Sequence, residues 1–256
     1  MLLYEVKQNV ATISINRPEK AHAFNVELTK GLYDKLVEAD KDESVKCILL
    51  KSIGNEKIFS AGYDLSIIED ENKKAKLIEF GRKVNQKMLL MKKPIVSQDL
   101  RGRLNARFPL NMGSDLRIFA DKPIDKMFFR LPEIAISAYA QTGATLLPLL
   151  AFGLSYAKNL LFTSDRIGLE DLKNINFPTR IFPQDKLELE TRKFLKILTK
   201  HLTTFLFLIK SSITLMNKQL IEKWFDLEDA CGKIAYEKKT HAELEAYIRD
   251  LYKKYS

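Results

Sequence analysis

The clearest signal of fold in this chain is the run Phe59-Ser60-Ala61-Gly62-Tyr63-Asp64-Leu65, which follows an apolar stretch at Cys47-Ile48-Leu49-Leu50. The apolar stretch predicts a buried strand, and the small residues after it predict a turn at the sheet edge. Ala61 and Gly62 carry little or no side chain, so a ligand can approach the backbone closely there. The amide of Tyr63 would then point at the ligand, which is the geometry that holds a developing oxyanion.

Strands and helices are predicted to alternate on both sides of this run. Residues 10–15 alternate apolar and polar side chains, which indicates a half-buried strand. Asn25 is the expected N-cap of a helix whose apolar residues repeat every 3.6 positions as far as Ala39. A second helix is predicted from about Ile68 to Met91, and further strands are predicted at residues 95–96, 116–120 and 127–129. This alternation predicts an α/β core.

The character of the chain changes after Pro183. Residues 187–202, 213–225 and 228–255 each show the helical spacing of apolar side chains. We therefore predict a core of residues 1–183 and a helical region of residues 184–256. The apolar faces of that region would pack on the core or on another subunit.

Composition narrows the class of protein. The chain has 256 residues, of which 46% are hydrophobic, enough for a sizeable core. No apolar run reaches the roughly 18 residues of a membrane span, and the N-terminus shows no secretory signal. Two cysteines, Cys47 and Cys231, make no disulfide framework, and the histidines lack metal-ligand spacing. We expect a cytoplasmic protein with no metal and no membrane partner.

The net charge of +9 indicates attraction to nucleic acid, a membrane surface or a phosphorylated ligand. The lysines are dispersed and interleave with acidic residues, whereas a nucleic-acid footprint is clustered. This dispersion favours a solvated basic surface and predicts no specific nucleic-acid binding. Lys210 and Lys218, in the predicted helical region, are expected on a solvated helix face.

Two further segments accompany the opening run. Residues 16–25, Asn16-Arg17-Pro18-Glu19-Lys20-Ala21-His22-Ala23-Phe24-Asn25, precede it, and Leu131-Pro132-Glu133-Ile134 precedes a small-residue turn at residues 140–145. In this order, with Lys93-Pro94 and residues 114–118 between them, the segments resemble the crotonase superfamily, the enoyl-CoA hydratase/isomerase family. The resemblance covers essentially the whole chain.

The resemblance implies a crotonase-like spiral of ββα units, with a C-terminal helical region that mediates assembly into a homotrimer or hexamer and covers the active site. It also implies an enzyme of fatty acid metabolism that binds acyl-CoA thioesters. Coenzyme A is then part of the substrate, and no separate cofactor is expected.

The resemblance also assigns roles to individual residues. The backbone amides of Tyr63 and Ala106 would form the oxyanion hole, and Glu133 would transfer protons. The coenzyme A moiety would be cradled by Ala21, Ala23, Ala61 and Gly62. Arg107 would contact a phosphate of coenzyme A or form an unrelated salt bridge.

Two departures from the family pattern bear on the reaction. The family's glycine triplet is matched by Asn105-Ala106-Arg107, and one of the two hydratase glutamates is matched by Pro109, which cannot transfer a proton. Hydration uses two carboxylates, whereas moving a double bond needs one base, so Glu133 alone favours an enoyl-CoA isomerase. Enoyl-CoA hydratase is the alternative within the family. A non-catalytic acyl-CoA-binding relative is the alternative outside enzymes.

Overall fold

The computed structural model describes residues 1–54, 59–67, 70–99, 103–104, 108–123, 128–237 and 240–255. The strands are Leu2–Lys7 (β1), Val10–Ile15 (β2), Cys47–Ser52 (β3), Ile95–Asp99 (β4), Arg103–Leu104 (β5), Leu116–Ala120 (β6), Phe128–Phe129 (β7) and Arg180–Phe182 (β8). The helices are Val26–Lys41 (α1), Glu71–Leu90 (α2), Phe108–Met112 (α3), Leu146–Phe152 (α4), Leu154–Thr163 (α5), Leu169–Asn174 (α6), Leu187–Lys200 (α7), Thr203–Ala235 (α8) and His241–Tyr255 (α9).

The main sheet has the strand order β1-β2-β3-β4-β6-β8. β1 runs antiparallel to β2, and the remaining neighbours are parallel. Parallel neighbours need a crossover connection, and α1 and α2 supply it between β2, β3 and β4. The predicted N-cap of α1 is confirmed, because the side chain of Asn25 accepts a hydrogen bond from the amide of Leu28 at 2.9 Å.

Both faces of this sheet are buried, which explains the unbroken apolar run in β3. Ile48 and Leu50 point toward α1 and α2, whereas Cys47 and Leu49 point toward α7. A sheet covered on both faces needs apolar side chains at consecutive positions. The prediction of an α/β core followed by a helical C-terminal region is confirmed.

A small second sheet leads the chain to the candidate site. β5 pairs with β7 in parallel, and β7 lies against the main sheet through Phe129, whose ring meets that of Phe119 edge-on at 5.4 Å between centroids. The chain leaves β7 toward Glu133, four residues after Phe129. The chain therefore enters the segment of Glu133 from a strand that packs on the main sheet.

The helices of the C-terminal region begin and end at other residues than predicted. Residues 213–225 do not form a helix of their own, and α8 runs from Thr203 to Ala235 with no break near residue 226. The last helix starts at His241 and not at Glu228. Gly232 lies inside α8. A Cβ at this position would overlap the side chain of Gln141 as it is placed here. Close packing, and not a helix end, accounts for this glycine.

The prediction that Lys210 lies on a solvated face is wrong. Its ammonium group is buried and donates to the carbonyl of Lys93 at 2.9 Å and to the carboxylate of Asp115 at 2.7 Å. Burial lowers the pKa of Lys210, and the Asp115 charge opposes that shift. The contacts attach α8 to the loop between α2 and β4. Lys218 is half-exposed, as expected.

No helix in the described part of the chain is long and apolar enough to cross a membrane.

Candidate active site

The first two predicted segments lie side by side. The amide of Ala61 donates to the carbonyl of Ala21 at 2.9 Å, and the amide of Phe24 donates to the carbonyl of Gly62 at 2.7 Å. Gly62 has a φ of +95°, a backbone conformation that favours glycine. Ala23 is buried, and its carbonyl accepts from Arg17 at 2.6 Å. The structure therefore brings together Ala21, Ala23, Ala61 and Gly62, the residues predicted to cradle coenzyme A.

The amide of Tyr63 points away from this contact. Tyr63 and Phe24 form an isolated parallel bridge that uses the amides of Phe24 and Asp64. Successive amides of an extended chain point in opposite directions, so the Tyr63 amide faces the other side. The amide of Tyr63 is therefore not used by the contact with Phe24, and its role in an oxyanion hole stays a prediction.

Asp64 fixes the turn on the other flank of Tyr63. Its carboxylate accepts from the Ser66 amide at 3.2 Å, as expected of a capping residue, and from Arg17 at 2.9 Å. The hydrogen bonds from Ser66 and the Arg17 guanidinium hold the pKa of Asp64 below its ordinary value. Asp64 therefore stays charged and acts as an anchor between the two segments.

Glu133 lies at the start of a short 3-10 turn, Ile134–Ile136. The segment before it is held by Ser164, whose hydroxyl donates to the carbonyl of Leu131 at 2.7 Å. Oxygen Oε2 of Glu133 is buried and accepts no hydrogen bond from the described residues. Burial raises the pKa of Glu133, and the negative charge of Glu228 raises it further. A buried carboxylate with an unused oxygen and raised proton affinity is suited to general acid–base chemistry.

Glu228 is a buried acid beside the candidate site that the sequence analysis did not single out. It is 2% exposed on α8, and its carboxylate accepts from the amide of Thr145 at 2.8 Å and from the amide of Gly143 at 2.5 Å. The helical periodicity contains a signal for it. Glu228 falls in the same row of α8 as Ile221, Phe225 and Gly232, which are all buried. An acid in an apolar stripe is unusual and indicates a specific partner.

The Tyr63 side chain contacts the same turn. Its hydroxyl lies 3.0 Å from the hydroxyl of Thr142, and the carbonyl of Thr142 accepts from the Asn85 side chain at 2.5 Å. Thr142 directly precedes Gly143, which Glu228 holds. The Tyr63 loop, the turn at residues 142–145 and the C-terminal helix are thus joined in one hydrogen-bonded chain.

The other predicted site residues are not all described. Ala106 and Arg107 lie outside the described residues, as does Asn105, and their predicted roles stay predictions. Pro109 lies in α3. Among the described residues no group of three or more His, Cys, Asp or Glu side chains is placed to hold a metal ion.

The chain is similar to known proteins both in sequence and in fold. A family model described as enoyl-CoA hydratase/isomerase matches residues 5–248. The chain is 26% identical over 188 residues to a short-chain-enoyl-CoA hydratase of Clostridium acetobutylicum, covering 73% of this chain and 70% of the relative. It is 24% identical over 193 residues to a trans-2-decenoyl-acyl-carrier-protein isomerase of Streptococcus mutans, covering 73% and 71%.

Two solved structures show the same fold. An enoyl-CoA hydratase from Bacillus halodurans superposes with a TM-score of 0.81 at 16% identity, covering 96% of this chain and 99% of that one. An enoyl-CoA hydratase/isomerase from Pseudoalteromonas atlantica superposes with a TM-score of 0.79 at 22% identity, covering 99% and 97%. At these identities the likeness establishes the fold and leaves the reaction to be argued from the residues.

Proposed function

The chain belongs to the enoyl-CoA hydratase/isomerase family, within the crotonase superfamily, and we propose that it moves the double bond of an enoyl-CoA thioester. The observation that carries this proposal is Oε2 of Glu133, which is buried without a hydrogen-bond partner among the described residues. Such an oxygen is free to take a proton from a substrate carbon.

In the proposed reaction, Glu133 removes a proton from C2 of a 3-enoyl-CoA, and the negative charge spreads to the thioester oxygen. The amide of Tyr63 donates to that oxygen, and the amide of Ala106 is the second donor by family position. Protonated Glu133 then returns a proton to C4, so the double bond moves from C3–C4 to C2–C3. Loss of one oxyanion donor typically costs about 100- to 1,000-fold in rate.

Isomerisation fits the site better than hydration because, among the described residues, Glu133 is the carboxylate with an oxygen that accepts no hydrogen bond in this site. Pro109 stands at the position of one hydratase glutamate. Glu228 is a second buried carboxylate near Glu133, but its oxygens already accept from Gly143 and Thr145, which favours a role in holding the turn. A hydratase needs one group to position water and another to pass a proton.

The proposed site for the thioester carrier is the backbone around Ala21 and Ala61, where small side chains leave room for a ligand. A net charge of +9 favours a phosphorylated ligand such as coenzyme A. Arg107 is the proposed phosphate contact by family position.

Assembly is part of the proposal. One face of α8 exposes Phe205 (59%), Ile209 (63%), Ile213 (64%) and Met216 (87%). Contiguous apolar patches of this kind mark interaction surfaces. A homotrimer or hexamer would cover this face with other copies of the chain.

The reaction is tested by comparing two rates on purified protein. We expect conversion of a 3-enoyl-CoA into the 2-enoyl isomer to be faster than addition of water to a 2-enoyl-CoA, since one carboxylate suffices for the former. A faster hydration rate would select the hydratase alternative. Absence of both reactions, with saturable binding of crotonyl-CoA in calorimetry, would select the non-catalytic alternative.

A further inference from the structure

The turn at residues 142–145 is held by a residue of the C-terminal helical region. Glu228 receives hydrogen bonds from the amide of Gly143 and from the amide and hydroxyl of Thr145. Trp224, one turn earlier on α8, donates from its indole nitrogen to the Thr145 hydroxyl at 2.8 Å. Two side chains of one helix therefore fix both ends of the turn.

Hydrogen-bond donors surround the carboxylate of Glu228. The Trp224 indole is a donor only, so the Thr145 hydroxyl accepts from it and is left to donate its own proton to Glu228. The two backbone amides are also donors. Burial raises the pKa of Glu228, and these hydrogen bonds oppose that shift. Hydrogen bonds donated to both oxygens stabilise the ionised carboxylate relative to the acid.

Gly143 shows how closely the turn is packed on α8. Its φ is +93°, and a Cβ built there would lie 2.9 Å from the ring of Phe225. The turn can therefore rest against the helix only with glycine at this position. On its other side, the turn reaches Tyr63 through Thr142 at 3.0 Å.

We propose that Glu228 is a positioning residue of the active site, which holds the turn at residues 142–145 and, through Thr142, the loop that presents the Tyr63 amide. The proposal rests on the proposed function, because that function gives the Tyr63 amide its role. Glu228 does not touch the reacting atoms. It fixes the groups that do.

Glu228 also acts on Glu133 through its charge. A negative charge near a buried carboxyl disfavours ionisation of that carboxyl, and the Glu228 carboxylate raises the pKa of Glu133 beyond the effect of burial. Tyr139 and Cys231 also lie near Glu228, and their hydroxyl and thiol are hydrogen-bonded to each other. Tyr63 reaches the same turn through Thr142, and the neighbouring Asp229 is paired with Arg82. Burial raises the pKa of Tyr139, so its hydroxyl stays neutral and adds no charge near Glu133.

The central variant is Glu228→Gln, which keeps the shape of the side chain, loses the charge and cannot accept from both Gly143 and Thr145. Glu222→Gln is the matched control, because it removes a half-exposed carboxylate from the same helix. We expect kcat of Glu228→Gln to fall by about tenfold to a hundredfold, the scale of a small misplacement of reacting groups, with KM nearly unchanged.

The pH profile separates positioning from a general loss of stability. We expect the acidic limb of the kcat/KM profile to move to lower pH in Glu228→Gln and to stay in place in Glu222→Gln. Carbon NMR of the Glu133 carboxyl, identified by its loss in Glu133→Gln, should show the same downward movement of the pKa. This NMR measurement does not depend on activity. If the wild-type protein were inactive, the proposed function would fail, and the NMR result would still test the effect of Glu228 on Glu133.

A second pair of variants covers the case in which Glu228→Gln does not fold. Thr142→Val and Tyr63→Phe each remove the hydrogen bond between the turn and the Tyr63 loop without touching Glu228. We expect each to lower kcat, and the double variant to be no worse than either single one, since they break the same link. Wild-type kcat in both single variants, or a folded Glu228→Gln with an unmoved acidic limb and wild-type kcat, would overturn the proposal.

Discussion

The proposed catalytic role of Glu133 rests on where its carboxylate lies. Burial and the nearby Glu228 charge both raise its pKa, and one oxygen has no partner among the described residues. The sequence could single out Glu133 by its place after Leu131-Pro132, but it could not indicate the burial or the second carboxylate. Both depend on α8, which places Glu228 near Glu133 although the two residues are 95 positions apart in the chain.

A raised pKa has a consequence for stability. The ordinary value is 4.5, and the folded value lies above it, so above pH 4.5 the folded protein retains a proton that the unfolded chain has released. Stability therefore falls as pH rises through this window. We expect Glu133→Gln to be more stable than wild type near pH 7, with the difference vanishing as pH is lowered below about 4, where both states of wild type are protonated.

Urea unfolding at about pH 4 and pH 7 measures this difference. Glu222→Gln is the control, since it removes a half-exposed carboxylate and should show no such convergence. Equal stability of Glu133→Gln and wild type near pH 7 would contradict the inferred burial of a charged Glu133.

At the scale of elements, local patterns predicted α1 and β3 well, because Asn25 caps the helix and the apolar run is buried on both sheet faces. They failed at α8. Its buried row contains Lys210, Glu228 and Gly232, which interrupt an apolar pattern. Each of these residues has a partner elsewhere in the fold. Lys210 pairs with Asp115, Glu228 binds the turn at residues 142–145, and Gly232 packs against Gln141. Local spacing alone cannot reveal such partners.

Gly81 of α2 tests the packing of α2 against the Tyr63 loop. A Cβ at Gly81 would lie 2.3 Å from the Tyr63 hydroxyl oxygen and 3.1 Å from Cγ2 of Thr142. Alanine in a helix interior is normally better than glycine by about 1 kcal/mol, but here we expect Gly81→Ala to destabilise the protein and to slow isomerisation. The collision would separate Tyr63 from Thr142.

Gly31→Ala in α1 is the matched control, because its Cβ would meet only the end of the Leu2 side chain, at 3.1 Å. We expect Gly31→Ala to be neutral or more stable than wild type in chemical denaturation. A stabilised and fully active Gly81→Ala would show that the Tyr63–Thr142 contact does not matter.

At the scale of the whole molecule, the family and the α/β architecture could be predicted, since three motifs in fixed order are shared with the crotonase superfamily. The assembly and the division at residues 183 and 184 remain proposals. The exposed apolar face of α8 is a feature that the sequence could not distinguish from a core-facing stripe, because both have the same periodicity. Only the fold separates its buried row from its exposed row.

The exposed face yields a prediction for assembly. Ile213→Asp and Met216→Asp place charge on side chains that are 64% and 87% exposed, so each chain should fold but associate poorly. Analytical ultracentrifugation should find a trimer or hexamer for wild type and smaller species for the variants. Lys218→Asp, at a half-exposed position of the same helix outside this face, is the control. A folded wild-type monomer at all concentrations would contradict the assembly.

The most direct test of the account is the rate of double-bond movement in a 3-enoyl-CoA, measured for wild type and Glu133→Gln alongside coenzyme A thioester binding by calorimetry. The amide keeps the shape of the side chain but cannot accept the proton. We predict an isomerisation rate lower by about 100- to 10,000-fold, the usual contribution of an acid–base group, with binding unchanged. Equal rates for the two proteins on every enoyl-CoA tested would contradict the assignment of Glu133 as the group that transfers the proton.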